Sequence, residues 1–147
     1  MIGLTLLRPR LPGVALAACV MFASPAFAET VSFKADLKAS EEVPPNDSKA
    51  TGTVTATYDT ASKKLTWKGN YSGLTGPATM AHFHGPAEPG KNAGVAVPIA
   101  PSASPFENSA NLTDAQAADL LAGRWYVNVH TGAHPGGEIR GQLVKGM

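Results

Sequence analysis

The histidines are the residues of this chain whose type and spacing best suit chemistry. All four lie in two short segments, His82-Phe83-His84 and the stretch from His130 to His134. Each segment has the pattern of a β-strand or of the turn that ends one. If the two strands are neighbours in a sheet, every imidazole of the protein converges on one small patch. That patch is the best candidate for a functional site.

A metal ion is the ligand that such a patch would suit. Side chains two residues apart on a strand share a face and lie about 7 Å apart at Cα, so His82 and His84 can both reach one ion. His130 and His134 would add further imidazoles, and Glu138 could join a mixed ligand set. Neutral imidazoles without a thiolate suit Cu(II) or Zn(II). The predicted metal ligands are therefore His82, His84, His130 and His134.

The same histidines also have a structural interpretation. Histidine at the end of a strand often forms hydrogen bonds with the carbonyl groups of a neighbouring loop. Gly85-Pro86 and Pro135-Gly136-Gly137 mark loops that carry such groups. For any single histidine this interpretation is the simpler one, and only the clustering of all four favours a metal. The residues alone leave both interpretations open.

Alternating apolar and polar residues predict the strands that would position these side chains. The predicted strands are 31–37, 53–58, 65–71, 79–84, 95–100 as an edge strand at best, 125–130 and 138–144. One face of strand 79–84 carries Met80, His82 and His84, and His130 lies on the polar face of its strand.

One segment, 112–121, has a helical pattern, with Thr113 and Gln116 spaced as a capping box. Short strands, a single helix and many turn residues indicate one antiparallel β-sandwich or barrel.

Two pairs of charged residues have ordinary structural interpretations. Glu138 and Arg140 are two apart on one strand face, which predicts a partly exposed ion-pair network. Glu41 and Glu42 precede a Pro-Pro turn, which predicts a solvated loop.

Catalytic signatures are missing from the sequence. It contains no Gly-x-Ser-x-Gly, no phosphate-binding loop and no His-Glu-x-x-His helix, and its one cysteine is Cys19. Hydrolase and nucleotide chemistry therefore have no motif on which to rest, and we expect a protein that is not an enzyme.

The first 28 residues have the pattern of a secretory signal peptide. Arg8 and Arg10 precede an apolar run from Leu11 to Ala23, and Ala26-Phe27-Ala28 fits a cleavage site. The run is shorter than the roughly 20 residues that a membrane-spanning helix needs. We expect a signal peptide over 1–28 and one domain over 29–147, exported to the periplasm or secreted. The motif that ends at Cys19 leaves a lipid anchor as the alternative.

Charge and cysteine content argue against a nucleic-acid-binding protein and against a domain stabilised by disulfides. Loss of Arg8 and Arg10 with the leader takes the formal charge from +1 to −1, so there is no basic surface for nucleic acid. Without Cys19 the domain cannot form a disulfide, so an apolar core must stabilise it.

Four segments of the chain resemble the chordin-type (CHRD) domain family. They are Glu41 to Pro45, Ala81 to Ala87, Ala122-Gly123 followed by Tyr126 to Thr131, and Pro135 to Leu143. The resemblance covers essentially all of 29–147 and implies an immunoglobulin-like or dismutase-like β-sandwich. His82, His84 and His130 fall on characteristic positions of the family, whereas His134 lies where the pattern is looser. In animal chordins, similar domains occur in secreted proteins that bind growth factors.

Three functions remain open at this point. The first is an exported, non-enzymatic CHRD domain that binds copper or zinc through its histidines. The second is an interaction module for a protein or glycan partner, with structural histidines and no metal. The His-x-His strand also resembles copper/zinc superoxide dismutases, but four histidines without the long metal-binding loop are too few for the usual copper and zinc pair. A dismutase-like redox enzyme is therefore the third.

Overall fold

The computed structural model describes residues 28–146, so Cys19 and all of the expected signal peptide except Ala28 lie outside it. The strands are β1 (Thr30–Lys38), β2 (Thr51–Asp59), β3 (Lys64–Ser72), β4 (Ala78–His84), β5 (Val95–Pro98), β6 (Phe106–Asn111), β7 (Tyr126–Thr131), β8 (Ile139–Gln142) and β9 (Val144–Lys145). One helix, α1 (Asp114–Leu121), lies between β6 and β7, and a short 3₁₀ turn (Ala39–Glu41) follows β1.

All nine strands belong to one antiparallel sheet with the order β5-β4-β7-β8-β1-β2-β3-β6, and β9 also pairs with β1. β2 and β3 form an antiparallel hairpin, with Tyr58 opposite Leu65. β1 joins the two halves of the sheet, because it pairs along its whole length with β2 and meets β8 at Lys38 and Arg140.

The sheet curls so that its two halves pack face to face. Trp67 of β3 and Phe83 of β4 are far apart in the strand order, yet their ring centroids lie 5.1 Å apart in an edge-to-face contact. Phe83 also contacts Trp125, at 6.0 Å. All three side chains are almost completely buried. The nearly closed antiparallel sheet encloses one apolar core, as predicted for a β-sandwich.

The helix has the predicted capping box. Thr113 accepts a hydrogen bond from the backbone N–H of Gln116, and the Gln116 side chain accepts one from the backbone N–H of Thr113. Gln116 also donates to the carbonyl of Ala96 in β5, and Leu120 is fully buried in the core. α1 therefore covers one end of the sheet.

Two details differ from the sequence prediction. β6 has no apolar alternation beyond Phe106 and was not predicted; it pairs with β3 as a polar edge strand. The predicted strand 138–144 is divided, because β8 ends at Gln142 and β9 begins at Val144. β5 is an edge strand that ends at Pro98, as expected.

Strand β7 is buried on both faces. Its inner side chains, Val127 and Val129, belong to the core, whereas its outer side chains are Tyr126, Asn128 and His130. The loop between β4 and β5 covers part of this outer face. Its Asn92 side chain donates a hydrogen bond to the carbonyl of Val43, which follows the 3₁₀ turn after β1. The fold thus creates a second, polar layer over β7.

Candidate metal site

Strands β4 and β7 are antiparallel neighbours, which brings the two histidine segments together. His82 lies opposite Asn128, His84 opposite Tyr126 and Met80 opposite His130. All these side chains point away from the apolar core, because they alternate with buried residues such as Phe83 and Val129. The two strands are therefore neighbours, which is the condition that the sequence left open.

Three imidazoles meet on this face and form what we call the histidine triad: His82, His84 and His130. Each offers a ring nitrogen, and the three nitrogens lie within 4.8 Å of one another. His82 Nδ1 and His130 Nε2 are 3.2 Å apart. Two nitrogens that share an ion at about 2.05 Å lie roughly 3.3 Å apart at a tetrahedral angle. The spacing of this pair therefore suits either a direct hydrogen bond or a shared metal ion.

A loop carbonyl fixes the orientation of His130. Its Nδ1 lies 2.9 Å from the carbonyl oxygen of Pro135, and a neutral ring must carry its proton there to donate. Nε2 is then a lone pair that faces His82. Metal-binding histidines in proteins are held in this way, with one ring N–H on a carbonyl and the other nitrogen free for the ion.

His84 is held by two oxygen atoms. Its Nδ1 lies 3.0 Å from the carbonyl oxygen of Ala93, and its Nε2 lies 3.0 Å from Oδ1 of Asn128. A neutral imidazole has a single N–H, so it can donate to only one of these acceptors. If the N–H donates to the Ala93 carbonyl, Nε2 carries the second lone pair of the triad.

Burial affects the charge states of His82 and His84. Burial lowers the pKa of His82, and the neighbouring His130 and His84 lower it further. Burial also lowers the pKa of His84, although its hydrogen bonds with Ala93 and Asn128 act in the opposite direction. Neutral rings at neutral pH are the form that binds transition metals.

A stack of side chains lies beside the triad. The Tyr126 ring is parallel to that of His84 at a centroid distance of 4.8 Å, and the Arg140 guanidinium carbon lies 3.4 Å from the centre of the Tyr126 ring. Arg140 also donates to Asn92 and to the carbonyl of Lys91. The stack fixes the ring plane of His84.

The predicted ion-pair network of Glu138 and Arg140 is wrong. Both side chains are buried, with exposed fractions of 0% and 2%. The Arg140 guanidinium packs on the Tyr126 ring and donates a hydrogen bond to Asn92 of the β4–β5 loop. Glu138 instead accepts hydrogen bonds from hydroxyl groups and a backbone N–H. The prediction that Glu138 and Arg140 share one face of the strand was correct. That face is covered by loops and is not exposed to solvent.

Glu138 organises a cluster of its own, which we call the Glu138 cluster: Glu138, Ser48, Thr75 and Thr131. Oε1 accepts from the Ser48 hydroxyl at 2.7 Å and the Thr75 backbone N–H at 2.9 Å. Oε2 accepts from the hydroxyls of Thr75 at 2.8 Å and Thr131 at 2.6 Å. Burial alone would raise the pKa of Glu138, but these hydrogen bonds outweigh it and hold the pKa at about 2. Both oxygens are engaged away from the triad.

The expectation that Glu42 lies in a solvated loop is also wrong. Its side chain is only 5% exposed, and Oε1 has no hydrogen-bond partner among the described residues. Burial raises the pKa of Glu42 to about 7, against the opposing effects of the Arg140 charge and of hydrogen bonds from Val43 and Asn128. Gly137 leaves room for this carboxylate, since a Cβ there would collide with it.

His134 lies in the turn after β7 and is only partly buried. Its backbone N–H and carbonyl pair with Thr131. The triad of close ring nitrogens comprises the other three histidines and does not include His134. A role for His134 as a fourth ligand stays a prediction.

Among residues 28–146, no helix is long and apolar enough to cross a membrane. A search of curated proteins and a search of solved structures each gave no match. The family model of the CHRD domain matches residues 33–143, about three quarters of the sequence, including every residue of the triad. The chain therefore belongs to the CHRD domain family.

Proposed function

We propose that this protein is an exported, non-enzymatic CHRD domain that binds a divalent transition metal, copper or zinc, through His82, His84 and His130. The observation that carries the proposal is the convergence of three ring nitrogens within 4.8 Å. Export is supported by the signal-like pattern of residues 1–28.

The hydrogen-bonding groups of the triad favour a ligand over a purely structural role. Three neutral imidazoles bring three lone pairs and three N–H groups. Pro135 and Ala93 can accept two of the N–H groups, and His82 can donate the third to His130. An ion between these two rings would take the place of that hydrogen bond, with the His82 proton on the other ring nitrogen, and would bind the lone pairs of Nδ1 of His82 and Nε2 of His130.

The donor set indicates which ions fit. The triad offers imidazole nitrogens alone, with no carboxylate or thiolate among its three members. Imidazole suits copper and zinc, whereas magnesium and calcium require oxygen ligands.

The first test is calorimetric titration of Cu(II) and Zn(II) into protein stripped with a chelator. We expect one ion per chain, and no binding by the double variant His82→Ala/His84→Ala. His134→Ala is the matched control, because it also removes an imidazole but lies outside the triad. Circular dichroism of each variant must show that it is folded. Absence of binding by the wild-type protein would refute the proposal.

One observation favours the second candidate, an interaction module for a protein or glycan. The outer face of β2, β3 and β6 forms an open groove, in which Thr57, Thr66 and Ser109 are neighbours across the three strands. Exposed hydroxyl groups of this kind suit a polar partner. If the histidines are only structural, alanine at His82 or His84 will lower the thermal stability equally with and without metal.

A further inference from the structure

Met80 is an exposed apolar side chain beside the histidine triad. It is 47% exposed, and only Val95 and Val144 are also large, apolar and exposed in the described part of the chain. Methionine is usually buried, so its exposure next to a cluster of ligand atoms calls for a reason.

The strand register places Met80 within reach of the triad. It lies directly opposite His130 across the β4–β7 pair and two residues from His82 on the same face of β4. Cross-strand neighbours have Cβ atoms about 5 Å apart. The methionine side chain has three rotatable bonds and adapts its position readily. Met80 and His82 also line the same shallow surface groove, closed on its other side by residues 98–103.

We propose that the thioether sulfur of Met80 is a further ligand of the histidine triad and that it makes the site selective for Cu(I). This inference rests on the proposed metal binding by the triad, and it differs from that proposal in one respect: the preferred ion is copper in its monovalent state. A thioether is a soft ligand, which favours Cu(I) and adds little to the binding of Zn(II).

The charge of the site supports a monovalent ion. Three neutral imidazoles and a thioether carry no negative charge to balance the ion, and His84 and His130 are buried, at 9% and 6% exposed. The cost of transferring an ion into such surroundings rises steeply with its charge. The free-energy cost of transfer from water into the triad is therefore lower for Cu(I) than for a divalent ion.

The first test measures Cu(I) affinity under anaerobic conditions by competition with a colorimetric Cu(I) chelator. Loss of an outer partner of a ligand typically weakens metal binding about 10- to 100-fold, so Met80→Leu, which removes a direct ligand, should weaken Cu(I) binding at least about tenfold. Zn(II) binding should stay unchanged. Leucine conserves the side-chain volume, and Met147→Leu is the matched control. A thermal melt verifies that each variant is folded.

The outcomes separate this inference from the function on which it rests. Equal Cu(I) affinity of Met80→Leu and wild type, with binding still lost in His82→Ala/His84→Ala, would overturn the role of Met80 and leave the triad as a metal site. Failure of the wild type to bind Cu(I), Cu(II) or Zn(II) would overturn both.

A spectroscopic test identifies the sulfur directly. In selenomethionine-labelled protein loaded with Cu(I), X-ray absorption at the copper edge should show a selenium neighbour. That signal should persist in Met147→Leu and vanish in Met80→Leu. A copper spectrum with nitrogen neighbours alone in the labelled wild type would contradict the proposal.

Discussion

The Glu138 cluster and the histidine triad are two polar groups carried by the same part of the sheet, and they differ in how completely their atoms are paired. Both oxygens of Glu138 accept two hydrogen bonds each, all between 2.6 and 2.9 Å. The triad instead directs ring nitrogens at one another, with His82 and His130 sharing one proton at 3.2 Å.

The difference is the one expected between a structural site and the metal site that we propose. A buried polar network with every partner satisfied fixes the fold around it, whereas a network with surplus lone pairs keeps capacity for a ligand. Glu138 joins the segments that carry Ser48, Thr75 and Thr131, so we infer that its role is to stabilise the fold. The comparison predicts opposite responses of the two groups to mutation, pH and metal.

The largest expected effect is that of Glu138→Ala. It removes four hydrogen bonds to a charged group and leaves the Thr75 N–H and three hydroxyls without their acceptor, at a cost of about 3 kcal/mol or more in the free energy of unfolding. Urea denaturation measures this loss. The control is Glu41→Ala, because Glu41 is exposed and close in sequence to the same region. Equal stability of the two variants would show that the Glu138 cluster does not support the fold.

Acid should weaken the wild-type protein through the same carboxylate. The folded-state pKa of Glu138 is about 2, below its ordinary value of 4.5. Its contribution is therefore complete above about pH 4.5 and is lost as the pH falls towards 2, a change of about 3 kcal/mol. Glu138→Gln has no proton to gain, so the stability gap between variant and wild type should close over this range. A gap that stays constant with pH would contradict the assigned pKa.

The strands were largely predictable from sequence, because alternation of apolar residues marks β1 to β4 and β7 directly. β6 was not predicted, because residues 106–111 contain only one large apolar side chain and form a polar edge strand. Which strands are neighbours does not follow from alternation. The pairing of β4 with β7 was expected from the family resemblance alone.

The convergence of His82, His84 and His130 could be anticipated from sequence, but the orientation of their rings could not. Two-residue spacing placed His82 and His84 on one face, yet the orientation of the rings depends on the carbonyls of Ala93 and Pro135. The burial of Glu42 was missed for the same reason. It lies in the layer over the outer face of the sheet, where contacts between distant loops decide which carboxylates are covered.

Metal should stabilise the folded protein, and only through the triad. An ion at 100 times its dissociation constant raises the free energy of unfolding by about 2.7 kcal/mol if it binds the folded state alone. Thermal melts with and without Zn(II) should show this gain for wild type and for Glu138→Gln, and none for His82→Ala/His84→Ala. Without metal, we expect His82→Ala to differ from wild type by less than about 1 kcal/mol, because His82 is not fully buried.

Glu42 gives the most discriminating test, because its carboxylate is buried but incompletely paired. It is buried like Glu138, but its Oε1 has no hydrogen-bond partner among the described residues, and burial raises its pKa from 4.5 to about 7. Folding therefore favours its protonated form, and its contribution is intact below about pH 4.5 and is lost as the pH rises through 7. Glu42→Gln should be more stable than wild type at about pH 8, by up to about 3 kcal/mol, and the gap should shrink to less than about 1 kcal/mol at about pH 5. Chemical denaturation at the two pH values measures this difference. Glu138→Gln should instead destabilise the protein at both pH values. If both substitutions changed the free energy of unfolding in the same direction at about pH 8, hydrogen-bond pairing would not distinguish the two carboxylates.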